Sequence, residues 1–248
     1  MKSRIALVTG GSRGIGKGIA IELAKNGVSV VVTYVKNKKE ADFVCQNIKS
    51  MKGSCATVQM DSKSRGSIKK AVEFARKKFG KIDILINNAA ISQEKPFESI
   101  TDDDFDQMMN VNLRGPFSLA QELIPDMVTN KWGRVVNIVS IGGQWGGYNQ
   151  VHYAASKAAL INFTQSIAKI YSAQGITSNA ISPGLVATDM TSFELNTTLG
   201  RKKVSEIPAK RLGTTKEIGA AAVYLVSDEA AYITGQTINL NGGMFFST

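Results

Sequence analysis

Thr9-Gly10-Gly11-Ser12-Arg13-Gly14-Ile15-Gly16 decides how this sequence is read. It follows the short apolar run Ile5-Ala6-Leu7-Val8 and precedes a stretch, Gly16 to Asn26, that reads as a helix stopped by Gly27. Glycines between a strand and a helix permit a tight turn and let the backbone approach a pyrophosphate. The helix N-terminus then offers free N–H groups and the positive end of its dipole. A Gly-rich turn alone is weak evidence, and its placement between strand and helix is what gives it weight. The spacing, with three residues between Gly10 and Gly14 and one between Gly14 and Gly16, differs from the commoner dinucleotide fingerprint. No Lys-Ser/Thr pair follows the last glycine, which disfavours an ATP-type phosphate loop.

Outward from this turn the same alternation repeats. Strands are predicted at Val28 to Tyr34, Cys55 to Met60, Ile82 to Ile86, Val135 to Val139, Thr177 to Ile181 and Gln236 to Leu240. Helices are predicted at Lys38 to Met51, Ser64 to Phe79, Tyr153 to Ala173 and Thr214 to Val226. Thr101 to Lys131 reads as one or two helices interrupted at Gly115-Pro116. Strand-then-helix repetition with near-continuous apolar strands implies a Rossmann-like α/β fold. The expectation is a doubly wound, seven-stranded parallel sheet with helices on both faces, in one domain spanning 1–248. The least regular segment, 185–211, is polar and contains Gly200 and Pro208. It reads either as a lid over a site or as a plain surface insertion.

Composition narrows the classes. The 248 residues carry 30 Lys plus Arg against 20 Asp plus Glu, a formal charge of +10, and 43% are hydrophobic. That is a globular composition whose excess charge suits an acidic partner: nucleic acid, an anionic membrane, or an anionic cofactor or carrier. No apolar run approaches the ~18 residues needed to span a bilayer, and no secretory or transit segment is read at the N-terminus. A cytoplasmic location is therefore expected. Cys45 and Cys55 read as small packed residues in a reducing compartment, without a disulfide framework. One His and two Cys do not make a common zinc site, and no metal is expected. Asp102-Asp103-Asp104 reads as the acidic first turn of a helix.

Two constellations carry chemistry. At the end of the second strand, where an acid would favour NAD, Thr33-Tyr34-Val35-Lys36 has none. Lys36 and Arg13 are two cations that suit a 2′-phosphate, so NADP(H) is expected over NAD(H); the alternative is that both are solvated surface charges. Tyr153 and Lys157 stand four apart on one helix face. An ammonium ~4 Å from a phenol, at an effective dielectric of ~20, is worth ~4 kcal/mol, enough to draw the phenol toward working pH. Such a pair alone is weak evidence. Its neighbourhood strengthens it, because Ser140, Asn87 and Asn88 lie at carboxyl ends of strands, where open parallel sheets bind ligands, and Asn112 lies in the preceding helix.

With these residues in place, the sequence resembles the short-chain dehydrogenase/reductases over essentially its whole length. TGGSRGIG at 9–16 is similar to the family's cofactor turn and NNAA at 87–90 to its strand-four motif. Asn112, Ser140, Tyr153 and Lys157 match its catalytic tetrad, and Pro183-Gly184 its turn after strand six. Asp189-Met190-Thr191, Arg211-Leu212-Gly213, SDEAAYITGQ at 227–236 and Asn241-Gly242-Gly243-Met244 resemble the members that reduce β-ketoacyl thioesters on an acyl-carrier protein. The resemblance implies a mechanism in which Tyr153 donates a proton to the ketone oxygen and Ser140 hydrogen-bonds that oxygen. Lys157 would lower the Tyr153 pKa and bond the nicotinamide ribose, and Asn112 would hold a water that relays protons to Lys157. It also implies cofactor contacts from Gly10, Ser12, Arg13, Gly14, Ile15, Gly16, Lys36, Asp61, Asn88, Ala89, Tyr153, Lys157, Pro183, Gly184 and Thr188. A homotetramer is implied too, with 101–131, 153–173 and the last strand at interfaces.

The sequence departs from the family pattern at Ala90, where Gly is usual, and at Gln174, where carrier-protein reductases often place a basic residue; Lys131 supplies one nearby. The loop after Ser140 should line the substrate pocket next to His152. Its Gln144, Trp145 and Tyr148 would contact substrate, with the two aromatic residues either stacking on an aryl or polyene group or packing the loop. Three readings stand at this point: a carrier-dependent ketoreductase, a reductase of a free alcohol or ketone, and a non-catalytic binding protein. The complete tetrad disfavours the last. Scattered basic clusters without a reader motif disfavour nucleic acid.

Overall fold

From β1 (Ile5–Val8) the chain crosses through α1 (Gly14–Lys25) to β2 (Ser29–Tyr34) and through α2 (Lys38–Ser50) to β3 (Cys55–Gln59). Then α3 (Arg65–Phe79) carries it back over the sheet to β4 (Ile84–Asn87), on the other side of β1. The second half follows with α4 (Asp102–Met109), α5 (Gly115–Asn130), β5 (Gly133–Ile138), α6 (Gly142–Trp145), α7 (Val151–Tyr171) and β6 (Ile176–Pro183). After it come β7 (Val186–Ala187), α8 (Thr198–Glu206), β8 (Gly213–Thr214), α9 (Thr215–Val226) and β9 (Thr237–Leu240). This computed structural model describes residues 4–188 and 197–247.

The main sheet has seven parallel strands in the order β3-β2-β1-β4-β5-β6-β9, the doubly wound architecture expected. Ala6 pairs with Val30 on one side and Ile84 on the other, so growth of the sheet reverses at β1. A crevice opens there, beyond the carboxyl ends of the strands. Successive β1 side chains serve opposite layers. Ala6 and Val8 pack with Ile19, Leu23 and Ala222 of α1 and α9. Leu7 packs with Ile68, Val72, Leu119 and Leu123 of α3 and α5. Both faces are thus covered, which is why the strands read as unbroken apolar runs.

Helices α1 and α9 touch backbone to backbone. A Cβ on Gly18 would lie 2.6 Å from the Thr215 carbonyl oxygen, and one on Gly219 would lie 2.7 Å from Glu22 Cγ. Glycine at both positions is what allows the approach.

Three expectations are corrected. Gly115-Pro116 does not break the helix: α4 opens on a Thr101–Asp104 capping box and passes through a π turn, Asn110–Arg114, straight into α5. Pro116 falls in the first turn of α5, where a missing N–H is tolerated. Cys45 and Cys55 are not separate packed thiols: they form a disulfide between α2 and β3, with a Cα–Cα distance of 5.2 Å. The two cysteines therefore no longer argue for a reducing compartment. Segment 185–211 is not wholly irregular, since β7 pairs with β8 and closes its base, and it holds α8. Asp189-Met190-Thr191 lies outside the described residues. No helix among the described residues is long and apolar enough to cross a membrane.

Candidate active site

The glycine turn is laced to its neighbours by main-chain and threonine bonds. Thr9 Oγ1 accepts the N–H groups of Asn88 and Ala89, each at 2.9 Å, and the Asn88 amide donates to the Thr9 and Gly10 carbonyls at 2.9 and 3.2 Å. From β2, Thr33 Oγ1 accepts Gly10 N–H at 3.2 Å. The ends of β1, β2 and β4 are thereby fixed together. Gly10 and Gly14 hold φ of +61° and +53°, which favours glycine. Arg13 stands at the N-cap of α1 without a side-chain capping bond, so the first N–H groups of the helix are not covered by its own cap. An uncapped helix start behind side-chain-free backbone fits the pyrophosphate of a dinucleotide.

Around this cradle, Arg13 and Lys36 are exposed, and among the described residues neither forms an ion pair. Ser12 is half-buried, and Ile15 packs against the core below α1. Asn88 and Ala89 back the turn rather than stand free of it. Asp61 Oδ1 accepts Lys63 N–H at 2.9 Å, so half of its carboxylate shapes the turn after β3. Pro183 ends β6, and Gly184 N–H donates to the Leu240 carbonyl at 3.0 Å. Thr188 is half-buried, and its γ-methyl lies 3.6 Å from where a Cβ on Gly14 would sit.

Beyond β5, three of the four tetrad residues converge. Ser140 Oγ accepts Gly142 N–H at 3.1 Å, which leaves its hydroxyl proton free to act on the Tyr153 phenol, whose pKa it lowers. Lys157 is buried, donates to the Ile138 carbonyl at 2.8 Å, and sits 5.8 Å from the Tyr153 ring centre. Burial holds its ammonium down to about 8. Burial likewise pushes the Tyr153 phenol up, and the Ser140 hydrogen bond is the force that opposes it.

Asn112 lies in the π turn, and its side chain is already engaged. Oδ1 accepts Ile91 N–H at 2.9 Å, while Nδ2 donates to the Ile91 carbonyl and to Ser156 Oγ, both at 3.0 Å. A water held by this residue would use its main-chain carbonyl. Four positions on, where an α-helix would place the N–H for that carbonyl, stands Pro116, which has none.

The substrate loop divides. Gln144 Nε2 donates to Ser182 Oγ at 2.8 Å and Asn239 Oδ1 at 2.7 Å, so its amide bolts α6 to β6 and β9. Trp145 stacks edge-on against Phe245, ring centres 5.8 Å apart, while Tyr148 is fully exposed. Sequence reasoning passed over Ser156, fully buried, which accepts from Asn112 and donates to the Tyr153 carbonyl at 2.7 Å. Its place three residues after Tyr153 was the available signal. Thr33, whose hydroxyl braces the glycine turn, was quoted only for lacking acidity.

A family profile described as Enoyl-(Acyl carrier protein) reductase matches residues 10–245. Curated relatives align over nearly all of both chains. One from Staphylococcus epidermidis, named 3-oxoacyl-(acyl-carrier-protein) reductase FabG, is 36% identical over 98% of this chain and 99% of its own. Proteins of the same name from Aquifex aeolicus and Buchnera aphidicola are each 39% identical, over 99% and 98% of this chain and 98% and 97% of theirs.

Proposed function

We propose that this chain, which belongs to the short-chain dehydrogenase/reductase family, is a cytoplasmic NADPH-dependent ketoreductase that converts a β-ketoacyl thioester on an acyl-carrier protein to the β-hydroxyacyl form. The observation that carries this reading is buried Lys157, bonded to the Ile138 carbonyl at the carboxyl end of β5 and 5.8 Å from the Tyr153 ring centre. The names of the curated relatives support the carrier-bound substrate.

The proposed mechanism follows from the chain's own groups. The glycine turn and the start of α1 would hold the pyrophosphate, and Arg13 and Lys36 the 2′-phosphate. The nicotinamide supplies the hydride when bound. Ser140 donates to the ketone oxygen and fixes its position. Tyr153, a phenol protonated at neutral pH, passes its proton to that oxygen as negative charge develops. The phenolate left behind is stabilised by the Lys157 ammonium. Protons return through Lys157 and a water on the Asn112 carbonyl.

Assembly as a homotetramer is part of the proposal. An open groove of about 980 Å³ runs between α4, the π turn, α5 and α7, lined by Leu113, Phe117 and Phe163 among others. Half-exposed Phe117 there, and half-exposed Phe105 elsewhere on α4, offer apolar surface to a second copy. Scattered basic residues, Lys131 among them, would draw in an acidic carrier, giving turnover that weakens with added salt.

The test is a purified-enzyme assay with carrier-bound and free β-ketoacyl thioesters, enoyl thioesters and simple ketones, each with NADPH and NADH. The expected result is the highest kcat/KM for the carrier-bound ketone with NADPH. Preference for the enoyl substrate would replace ketone reduction with double-bond reduction, preference for free ketones would remove the carrier, and a higher kcat/KM with NADH would overturn the cofactor.

A further inference from the structure

We infer that His152, the single histidine of the chain, is a positioning residue that sets the pose of Tyr153 through a hydrogen-bonded chain to Gln93 and Asp104. The inference rests on the ketoreductase reading of Tyr153.

The loop after β4 is stitched to the start of α7 at four points. Lys95 N–H donates to the Asn149 carbonyl at 2.7 Å, and Gln150 Nε2 reaches Glu94 Oε1 at 3.3 Å. Asn112 joins Ile91 to Ser156, which holds the Tyr153 carbonyl. The fourth stitch is His152, only 1% exposed, whose Nε2 lies 2.8 Å from Gln93 Oε1.

That last bond has a fixed direction. Gln93 Nε2 donates to Asp104 Oδ1 at 2.9 Å, which turns its oxygen toward His152. Asp104 can only accept: the Lys95 ammonium and the Thr101 N–H and hydroxyl surround it and hold its carboxyl far below the usual range. A neutral imidazole must then carry its proton on Nε2 and donate it to Gln93. Its Nδ1 is left as a buried lone pair with no partner.

Helix α7 explains why such a bond is kept. Gln150 at its N-cap makes no side-chain capping bond, and no acidic residue lies in the first turn. Helix starts without caps fray. Tyr153 stands in this uncapped turn, directly after His152. Because consecutive residues on a helix are fixed about 100° apart, anchoring the imidazole anchors the phenol.

The test combines a spectrum with kinetics. With ¹⁵N-labelled histidine the protein gives one imidazole. We expect the Nε2–H tautomer in the wild type and a tautomer mixture in Gln93→Leu. With a β-ketoacyl thioester and NADPH, Gln93→Leu and His152→Leu should each lower kcat roughly ten-fold, the scale of a small misplacement of a reacting group. KM and NADPH affinity should stay unchanged, the double variant should be no slower than either single, and His152→Gln should recover most of the rate. An Nδ1–H tautomer in the wild type, additive losses, or a loss confined to KM or Tm would overturn the inference. Gln93 lies on a loop, so its variant serves if His152→Leu does not fold. A wild type without ketone reduction sinks the reductase reading; the imidazole spectrum needs no turnover and judges the His152–Gln93 bond separately.

Discussion

The Asn88 amide nitrogen lies 2.5 Å from where a Cβ on Gly16 would sit, and the Gly10 carbonyl oxygen is equally close. That amide is bonded to the Thr9 and Gly10 carbonyls, so neither group can give way cheaply. Gly16→Ala should therefore displace the glycine turn while the core below it stays packed. We expect NADPH affinity to fall by roughly ten-fold or more, about 1.4 kcal/mol per factor of ten, measured by fluorescence titration, with the circular dichroism spectrum retained. Wild-type affinity in that variant would mean that the turn does not hold the cofactor.

Lys157 gives a pH signature with a definite sign. Its ammonium sits at about 8 in the fold against an ordinary value of 10.5, so between these values the unfolded chain binds more protons. Stability should rise with pH across that window, and the charge burial costs about 3 kcal/mol below it. Thermal unfolding at a series of pH values should show this rise in the wild type and a flatter profile in Lys157→Met. Reduction should decline above about pH 8, as Lys157 loses the charge that stabilises the phenolate. An identical pH slope in both proteins would remove the buried charge from the account.

Tyr153→Phe removes the proton donor and little else. Turnover should drop by roughly two to four orders of magnitude, the range for general acid catalysis, with NADPH binding and Tm close to wild type. Near-normal turnover would sink the proposed role.

The Cys45–Cys55 bridge closes a short loop, with a sequence separation of 10. Chain-entropy arguments put its contribution at about 3 kcal/mol. Reduction, or Cys45→Ala with Cys55→Ala, should lower Tm by several degrees, and intact mass before and after alkylation should report the bridge. Quantitative alkylation of the native protein without reductant would show that the thiols are free.

Trp145 rests on Phe245, and Gln144 reaches Asn239, whose amide in turn donates to Ser247 at 3.2 Å. The C-terminal segment is thus the backing of the loop after Ser140. Phe245→Ala should raise KM for the acyl substrate several-fold while leaving kcat and NADPH affinity near wild type. A fall in kcat alone would place Phe245 elsewhere in the mechanism.

The sheet was legible because strands covered on both faces must be apolar throughout, as Val30-Val31-Val32 is. Helix stops at Gly27, Gly80 and Gly175 were legible because each takes a positive φ, which glycine tolerates. The π turn at Asn110–Arg114 left no trace in the pattern, since widening one turn changes hydrogen bonds and not residue types. The disulfide was hidden because pairing depends on α2 folding back along β3, a tertiary event. At the site, residue types singled out candidate reacting groups but not the hydrogen bonds they are committed to. That the Asn112 and Gln144 amides are spent on scaffolding follows from where Ile91 and Ser182 lie, which no local spacing states.

The glycine contact between α1 and α9 joins segments from opposite ends of the chain with almost no side chain between them. Such a seam leaves no room for independent breathing. The two helices should exchange their amide hydrogens as one cooperative unit, and a ligand that quiets the start of α1 should slow exchange in α9 as well. Because β8 leads directly into α9, tightening at the glycine turn reaches the base of the 185–211 excursion by way of helix packing alone.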